Sequence, residues 1–166
     1  MIFSAADRPL MFLDVDGPLI PLRSRPAGRR TFPDEDLRDY GNPLLYRLDP
    51  DDGRRLLALN CELVWATTWM ADANEVLSPL LGLPELPVVE WPGTDVDPPH
   101  GLHWKTKPII EWAAGRPFVW LDDELTDADR EWAAAQHGNR ALLHRVDPYA
   151  GLTEADYSLI RHWLAE

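Results

Sequence analysis

Three places in the sequence combine polar side chains with a preceding apolar run, and their residue types are the ones able to do chemistry. They are Asp14-Val15-Asp16-Gly17, Thr67-Thr68 and Asp122-Asp123-Glu124. In an open parallel α/β sheet the carboxyl ends of the strands share one edge, and ligands bind in the crevice at that edge. Acids that are far apart in sequence, such as Asp14 and Asp122, are therefore predicted to converge there.

The acids of these sites predict a metal centre that works on phosphate. Asp14, Asp16, Asp122 and Asp123 would repel one another without a cation, and carboxylate oxygens suit Mg²⁺. An aspartate beside Mg²⁺ can attack phosphorus and form an aspartyl-phosphate, which is the role predicted for Asp14. Asp16, two residues on, is placed to protonate the leaving oxygen and later to activate water. Gly17 lets the backbone turn sharply after the two acids.

A phosphoryl group also needs a cation and a hydroxyl donor. The chain contains only two lysines, Lys105 and Lys107, and either can supply the cation from the start of a predicted helix. Thr67 is predicted to supply the hydroxyl, with Thr68 as its neighbour. A second group of bases, free of acids, contains Arg23, Arg25, Arg29 and Arg30. We expect this group to be either a solvated loop or an anion-steering flap, with Arg23 and Arg25 as substrate-binding candidates.

Alternating apolar runs and helical patterns predict the scaffold that positions these residues. Strands are predicted at 10–13, 63–66, 87–91, 118–121 and 141–143. Helices are predicted at 50–60, 70–81, 105–114, 128–136 and 153–164, with Pro79 ending or kinking the second. Thr153 and Asp156 form a variant of the capping box. The prediction is one three-layer α/β domain over residues 1–166, with about five parallel strands and helices on both faces. Residues 18–48, which show no period, are predicted to form a flap over the site.

The order of the motifs resembles the haloacid-dehalogenase-like (HAD) superfamily of hydrolases. The motifs are DVDG, an apolar pair followed by Thr, then Lys, then an apolar residue followed by Asp-Asp. The phrases LVWATTW, RPFVWLDDE and DPYAGLT are further similar to small phosphatase-type domains associated with bacterial RNA-repair proteins. The resemblance covers nearly the whole chain, from about residue 9 to 164. It implies a Rossmann-like fold, and the spacing of the motifs leaves no room for the full cap domain that many members carry.

The resemblance also implies a role for each matching residue. Asp14 would be the nucleophile and a metal ligand, and Asp16 the general acid/base with its carbonyl on the metal. Thr67 would bind the phosphoryl group and Lys105 would neutralise it, whereas Thr68 and Lys107 are neighbouring duplicates. Asp122 and Asp123 would complete the Mg²⁺ site. Pro18 departs from the Thr or Val that many members carry after the glycine.

Other functions compete with a phosphate monoester hydrolase. A two-component receiver domain needs paired acids near the first strand and a lone Asp after the third, which this order does not provide. A catalytically weak binding or regulatory module, and a phosphotransferase to an acceptor other than water, both stay open. Five tryptophans are either core residues or base-stacking surfaces: Trp65, Trp69, Trp104, Trp112 and Trp120. His100, His103, Asp127 and Asp129 are expected to be loop or helix-start residues rather than ligands.

Charge and composition restrict the partners. A net charge of −12 argues against an extended nucleic-acid interface, so a terminal phosphate or a small metabolite is the expected substrate. The single cysteine, Cys61, cannot form an internal disulfide, which predicts a reducing cytoplasm. No signal peptide is predicted, and no apolar run reaches the roughly 18 residues that span a membrane. The sequence does not indicate the oligomeric state.

Overall fold

A parallel sheet forms the centre of the fold in the computed structural model, which describes residues 8–26, 30–93 and 101–166. Its strands are β1 (Leu10–Leu13), β2 (Glu62–Trp65), β3 (Phe118–Asp122) and β4 (Ala141–Arg145). They lie in the order β2-β1-β3-β4, and every neighbouring pair is parallel. The two central strands, β1 and β3, are buried along their whole length. Continuous apolar runs such as theirs are typical of strands covered by helices on both faces.

Helices cover both faces of the sheet. They are α1 (Asp34–Leu37), α2 (Asp52–Leu57), α3 (Ser78–Leu81), α4 (Thr106–Ala113), α5 (Asp127–Gln136) and α6 (Glu154–Ala165). On one face Met11 shares a core with Leu56 and Ile160, from α2 and α6. On the other face Phe12 shares a core with residues of α4 and α5. The prediction of a three-layer α/β fold is therefore confirmed.

The predicted strand at 87–91 is reduced to one bridge. Val88 pairs with Trp65 at the outer edge of β2, where the Trp65 amide donates to the Pro87 carbonyl and the Val89 amide to the Trp65 carbonyl. Pro87 has no N–H to extend this ladder. Beyond it, the Trp91 indole turns towards the end of β2. The sheet described here thus has four strands, one fewer than the sequence pattern suggests.

The predicted helix at 70–81 divides into two parts. A π-helical turn, Ala73–Leu77, precedes α3, and Pro79 falls in the first turn of α3. A proline is tolerated there because the first amides of a helix have no intrahelical partner. The predicted capping box of Thr153 and Asp156 is present at the start of α6.

The described part of residues 18–48 forms short helical elements and packs partly into the core. Besides α1, the described part contains the 3₁₀ turns Arg38–Tyr40 and Leu45–Arg47. Leu19, Ile20 and Leu48 are buried, so this segment is anchored near both of its ends. Cys61 is a buried free thiol. None of the described helices has the length and apolar character needed to cross a membrane.

Candidate active site

The register of the two central strands brings Asp14 beside Asp122. Leu13 of β1 lies opposite Leu121 of β3, and the Asp14 amide donates to the Leu121 carbonyl over 3.1 Å. Asp14 follows Leu13 and Asp122 follows Leu121, so both carboxylates stand at the same edge of the sheet. Asp123 follows directly, and one carboxylate oxygen from each of the three acids lies within 4.8 Å of the others.

Lys105, immediately before α4, places its ammonium among these acids. Its Nζ donates to Asp14 Oδ1, Asp122 Oδ2 and the Ala66 carbonyl, each over 3.0 Å. These bonds use all three donors of the ammonium group. They join the ends of β1, β2 and β3 through one buried side chain, which is only 4% exposed. Lys107, in contrast, is exposed on α4.

The electrostatics of the site reflect this crowding of acids. Burial, and then the charge of Asp122, raise the pKa of Asp14 to about 8 against the opposing effect of Lys105. Burial and the same neighbour also raise the pKa of Asp123. Burial alone would lower the pKa of Lys105, but the two carboxylates outweigh it and raise that pKa. The site therefore holds a permanent cation and has a remaining excess of negative charge.

Thr67, the residue predicted to bind a phosphoryl group, lies buried at the end of β2. Its Oγ1 accepts a hydrogen bond from the Trp69 amide over 3.1 Å, and its carbonyl accepts one from the Trp91 indole over 3.0 Å. Because Oγ1 acts as an acceptor in this turn, its own proton is left to donate to a ligand. The neighbouring Thr68 is exposed.

The turn after Asp14 is shaped by glycine. Gly17 has φ +102°, and a Cβ at this position would lie 2.8 Å from Asp123 Cγ. A side chain is therefore excluded by backbone conformation and by the metal-site acid together. Asp16, just before it, is exposed and accepts a hydrogen bond from the Trp69 indole over 3.1 Å at Oδ2.

A network not predicted from the sequence holds the loop that carries Lys105. Asp129 is fully buried and accepts hydrogen bonds from the His103 amide over 2.8 Å and from Thr106 Oγ1 over 2.6 Å. Its other oxygen completes a capping box with Thr126 at the start of α5. His103 Nδ1 accepts from the Lys105 amide over 3.1 Å, and its Nε2 lies 2.9 Å from Glu124. The Thr-x-x-Asp spacing of Thr126 and Asp129 is a sequence signal for the helix cap. It does not predict the contacts that Asp129 makes with His103 and Thr106.

The arginines proposed to bind substrate lie in different surroundings. The Arg23 guanidinium is exposed and stacks 4.6 Å from the centre of the Tyr149 ring. The Arg25 side chain is only 4% exposed, lies 4.0 Å from Asp52 and donates to the Arg47 carbonyl. The Arg25 guanidinium is thus used in contacts within the protein, and the structure gives no support to the predicted role of Arg25 in substrate binding. Arg29 and His100 lie outside the described residues, and Arg30 pairs with Asp51 over 3.3 Å.

The tryptophans divide between the core and the site. Trp65 and Trp120 are buried core residues. Trp112 is half-buried and packs edge-on against Phe12. Trp104 is 42% exposed and meets Trp91 edge-on, with the Lys105 ammonium 5.5 Å from the Trp104 ring centre.

The donor set fits Mg²⁺. Three carboxylates provide the hard oxygen ligands that this ion prefers. Lys105 contacts Oδ1 of Asp14 and Oδ2 of Asp122. The other oxygen of Asp122 accepts a hydrogen bond from the Glu124 amide over 3.0 Å and keeps a second lone pair that a metal could use. Three carboxylates against one ammonium give a formal charge of −2, which a divalent cation balances.

The fold and the site together define a HAD-type domain, and comparison with known proteins agrees. The model of the family described as the HAD domain in Swiss Army Knife RNA repair proteins matches residues 10–157. Among solved structures, the HAD domain of the effector protein Lem4 from Legionella pneumophila is similar in fold, with a TM-score of 0.53 and 14% sequence identity. The match covers 97% of this chain and 95% of that one. Among curated proteins, none matches the chain.

The chain belongs to the family of HAD domains found in Swiss Army Knife RNA repair proteins. The resemblance in the sequence motifs is thereby confirmed.

Proposed function

We propose that the chain is a Mg²⁺-dependent phosphate monoesterase that works through an aspartyl-phosphate on Asp14. The observation that carries this proposal is the buried Lys105 ammonium, 3.0 Å from both Asp14 and Asp122, beside a third carboxylate. An ammonium so placed can neutralise both the nucleophile and an incoming phosphoryl group. Mg²⁺ held by the three acids would supply further charge stabilisation for the phosphoryl oxygens.

The proposed reaction has two chemical steps, and each residue of the site has a role in them. In the first, a carboxylate oxygen of Asp14 attacks phosphorus, the ester P–O bond breaks, and Asp16 gives a proton to the leaving oxygen. Thr67 donates to a phosphoryl oxygen, and the positive charge of Lys105 stabilises the phosphoryl group while this charge moves. In the second step, Asp16 takes a proton from water as that water attacks phosphorus. Inorganic phosphate leaves and the Asp14 carboxylate is restored.

The substrate class we propose is a phosphate at the end of a nucleotide or polynucleotide. The family description names RNA repair proteins, and a terminal phosphate is the group that a site at a sheet edge can reach. The net charge of −12 opposes an extended nucleic-acid contact, so recognition would concentrate on the terminus. The buried thiol of Cys61 is compatible with a cytoplasmic location, which remains a prediction.

Phosphate release tests the proposal. The substrates are an aryl phosphate, a panel of nucleotides, and oligonucleotides phosphorylated at the 3′ or the 5′ end. Each is measured with Mg²⁺, with EDTA, and with Asp14→Asn, and the exposed Asp34→Asn serves as a matched control. Activity that disappears with EDTA and in Asp14→Asn but persists in Asp34→Asn is the expected result.

Two other outcomes would replace the proposal. Mg²⁺ binding by calorimetry without turnover of any substrate would indicate a binding or regulatory module. Transfer of phosphate to added alcohols in preference to water would indicate a phosphotransferase.

A further inference from the structure

The Asp16 side chain has a defined hydrogen-bond partner although it is exposed. Among the described residues that partner is Trp69, whose indole Nε1 donates to Asp16 Oδ2 over 3.1 Å. An exposed aspartate otherwise samples several side-chain rotamers. The indole therefore restricts the orientation of the carboxyl group to which we assign proton transfer.

The backbone of the turn after β2 holds Trp69 in place for this contact. The Trp69 amide donates to Thr67 Oγ1 over 3.1 Å, and the Met70 amide donates to the Thr67 carbonyl over 3.3 Å. Met70 then adopts φ +52°, in the left-handed region that costs a residue with a side chain free energy. Strain of this kind persists only where surrounding contacts enforce it. Here those contacts place the phosphoryl-binding hydroxyl and the Trp69 indole on one tight turn.

The chemistry of the indole determines which oxygen of Asp16 is occupied by the contact. An indole N–H can only donate, so its partner oxygen must act as an acceptor. The Trp69 contact therefore occupies Oδ2 and leaves Oδ1 as the oxygen that can exchange a proton with the leaving group. We propose that Trp69 is a positioning residue that presents the acidic oxygen of Asp16 to the leaving group.

This inference rests on the proposed function and specifies one part of it. As a carboxylate oxygen of Asp14 forms its bond to phosphorus, the ester P–O bond breaks and its electron pair goes to the leaving oxygen. The proton on Asp16 Oδ1 passes to that oxygen, which leaves Asp16 as a carboxylate. An alkoxide leaving group needs this proton, whereas a nitrophenolate is stable without it. Loss of the indole donor should therefore slow alkyl phosphates more than aryl phosphates.

The test is the leaving-group dependence of kcat/KM in Trp69→Phe. This parameter covers the steps up to and including transfer to Asp14, and so isolates departure of the leaving group. We expect Trp69→Phe to lower the ratio of alkyl to p-nitrophenyl phosphate activity about tenfold, a fraction of the 10²–10⁴ that general acid catalysis supplies. In Asp16→Asn the same change should add almost nothing for the alkyl substrate, since no acid remains to be positioned.

Trp91→Phe is the matched control, because it also removes an indole donor beside Thr67 but does not touch Asp16. It should slow both substrates by the same factor and leave their ratio unchanged. Trp69→Leu provides a second donor-free variant in case Trp69→Phe does not fold. Equal slowing of both substrates by the Trp69 variants would overturn the inference while the proposed function stands. A wild-type protein without phosphatase activity would instead overturn the proposed function.

Discussion

Replacing Lys105 with methionine should reveal how strongly the folded protein depends on one buried cation. The ammonium side chain is 4% exposed, and the Asp14 and Asp122 side chains that it contacts are 10% and 1% exposed. Removing one member of a buried ion pair costs about 3–5 kcal/mol, because it leaves an uncompensated charge away from water. We expect Lys105→Met to lower the free energy of unfolding by about 3 kcal/mol in EDTA at neutral pH. For a chain of this size that corresponds to a fall in Tm of about 6–12 °C.

The pH dependence of this loss provides a second measurement. Without the ammonium, the pKa of Asp14 rises further above its usual range. A carboxyl whose pKa is higher in the folded than in the unfolded state destabilises the fold at pH values above the unfolded pKa of about 4. In the wild-type protein this destabilisation stops growing at about pH 8, the pKa of folded Asp14, whereas in Lys105→Met it continues to grow. The deficit of Lys105→Met should therefore increase as the pH rises above about 8. Saturating Mg²⁺ should reduce it, because the ion supplies positive charge to the same carboxylates.

Urea unfolding with and without Mg²⁺ measures these effects, and Lys107→Met is the matched control. Lys107 is exposed, so its replacement should change stability by no more than about 0.5 kcal/mol under every condition. Equal and small losses for the two lysine variants in EDTA would refute the reasoning. A Lys105→Met deficit that is independent of pH would also contradict it.

Three further perturbations test other parts of the structure. Gly17→Ala should weaken Mg²⁺ binding measured by calorimetry, since its Cβ would lie 2.8 Å from a metal-site carboxyl, whereas Gly41→Ala, with open space around its Cβ, should not. Burial raises the pKa of Asp52 to about 6, so its ionisation lowers the free energy of unfolding by up to about 3 kcal/mol between pH 4 and 6. Asp52→Asn should remove this part of the pH dependence in urea unfolding, and an unchanged slope would contradict the assignment. Asp129→Ala and Asp156→Ala each lose a capping box and should each cost about 2–4 kcal/mol. Of the two, only Asp129→Ala should also lower the proposed phosphatase activity, because Asp129 holds the loop that carries Lys105.

Local sequence patterns predict an element of this fold correctly where all residues of the element share the same surroundings. The strand at Leu10–Leu13 is predicted with its exact bounds because an unbroken apolar run of four residues suits a strand buried on both faces. The pattern at 87–91 includes Pro87 and Glu90 and lies at the sheet edge, where Pro87 cannot donate and pairing stops after one bridge. The helix at 70–81 fails as a single unit because Pro79 requires a new first turn.

The motifs identify the acids of the site, but the contacts between distant side chains are not encoded in any local pattern. The meeting of Trp69 with Asp16 depends on two separate turns, one of them strained at Met70. The burial of Arg25 beside Asp52 depends on how a loop without period folds onto α2. Such contacts are decided by tertiary packing, which periodicity and spacing do not describe.

The pairing of β1 with β3 has a consequence for how related sequences can differ in length. Met11 and Phe12 point to opposite cores, so one inserted residue in β1 would exchange them. It would also move Asp14 about 3.3 Å along the strand direction relative to Asp122, and so dismantle the centre in one step. An insertion at the exposed Gly138 and Asn139, between α5 and β4, meets no such constraint. The structure therefore tolerates a change of length in such a connection, whereas the site fixes the lengths of the two central strands.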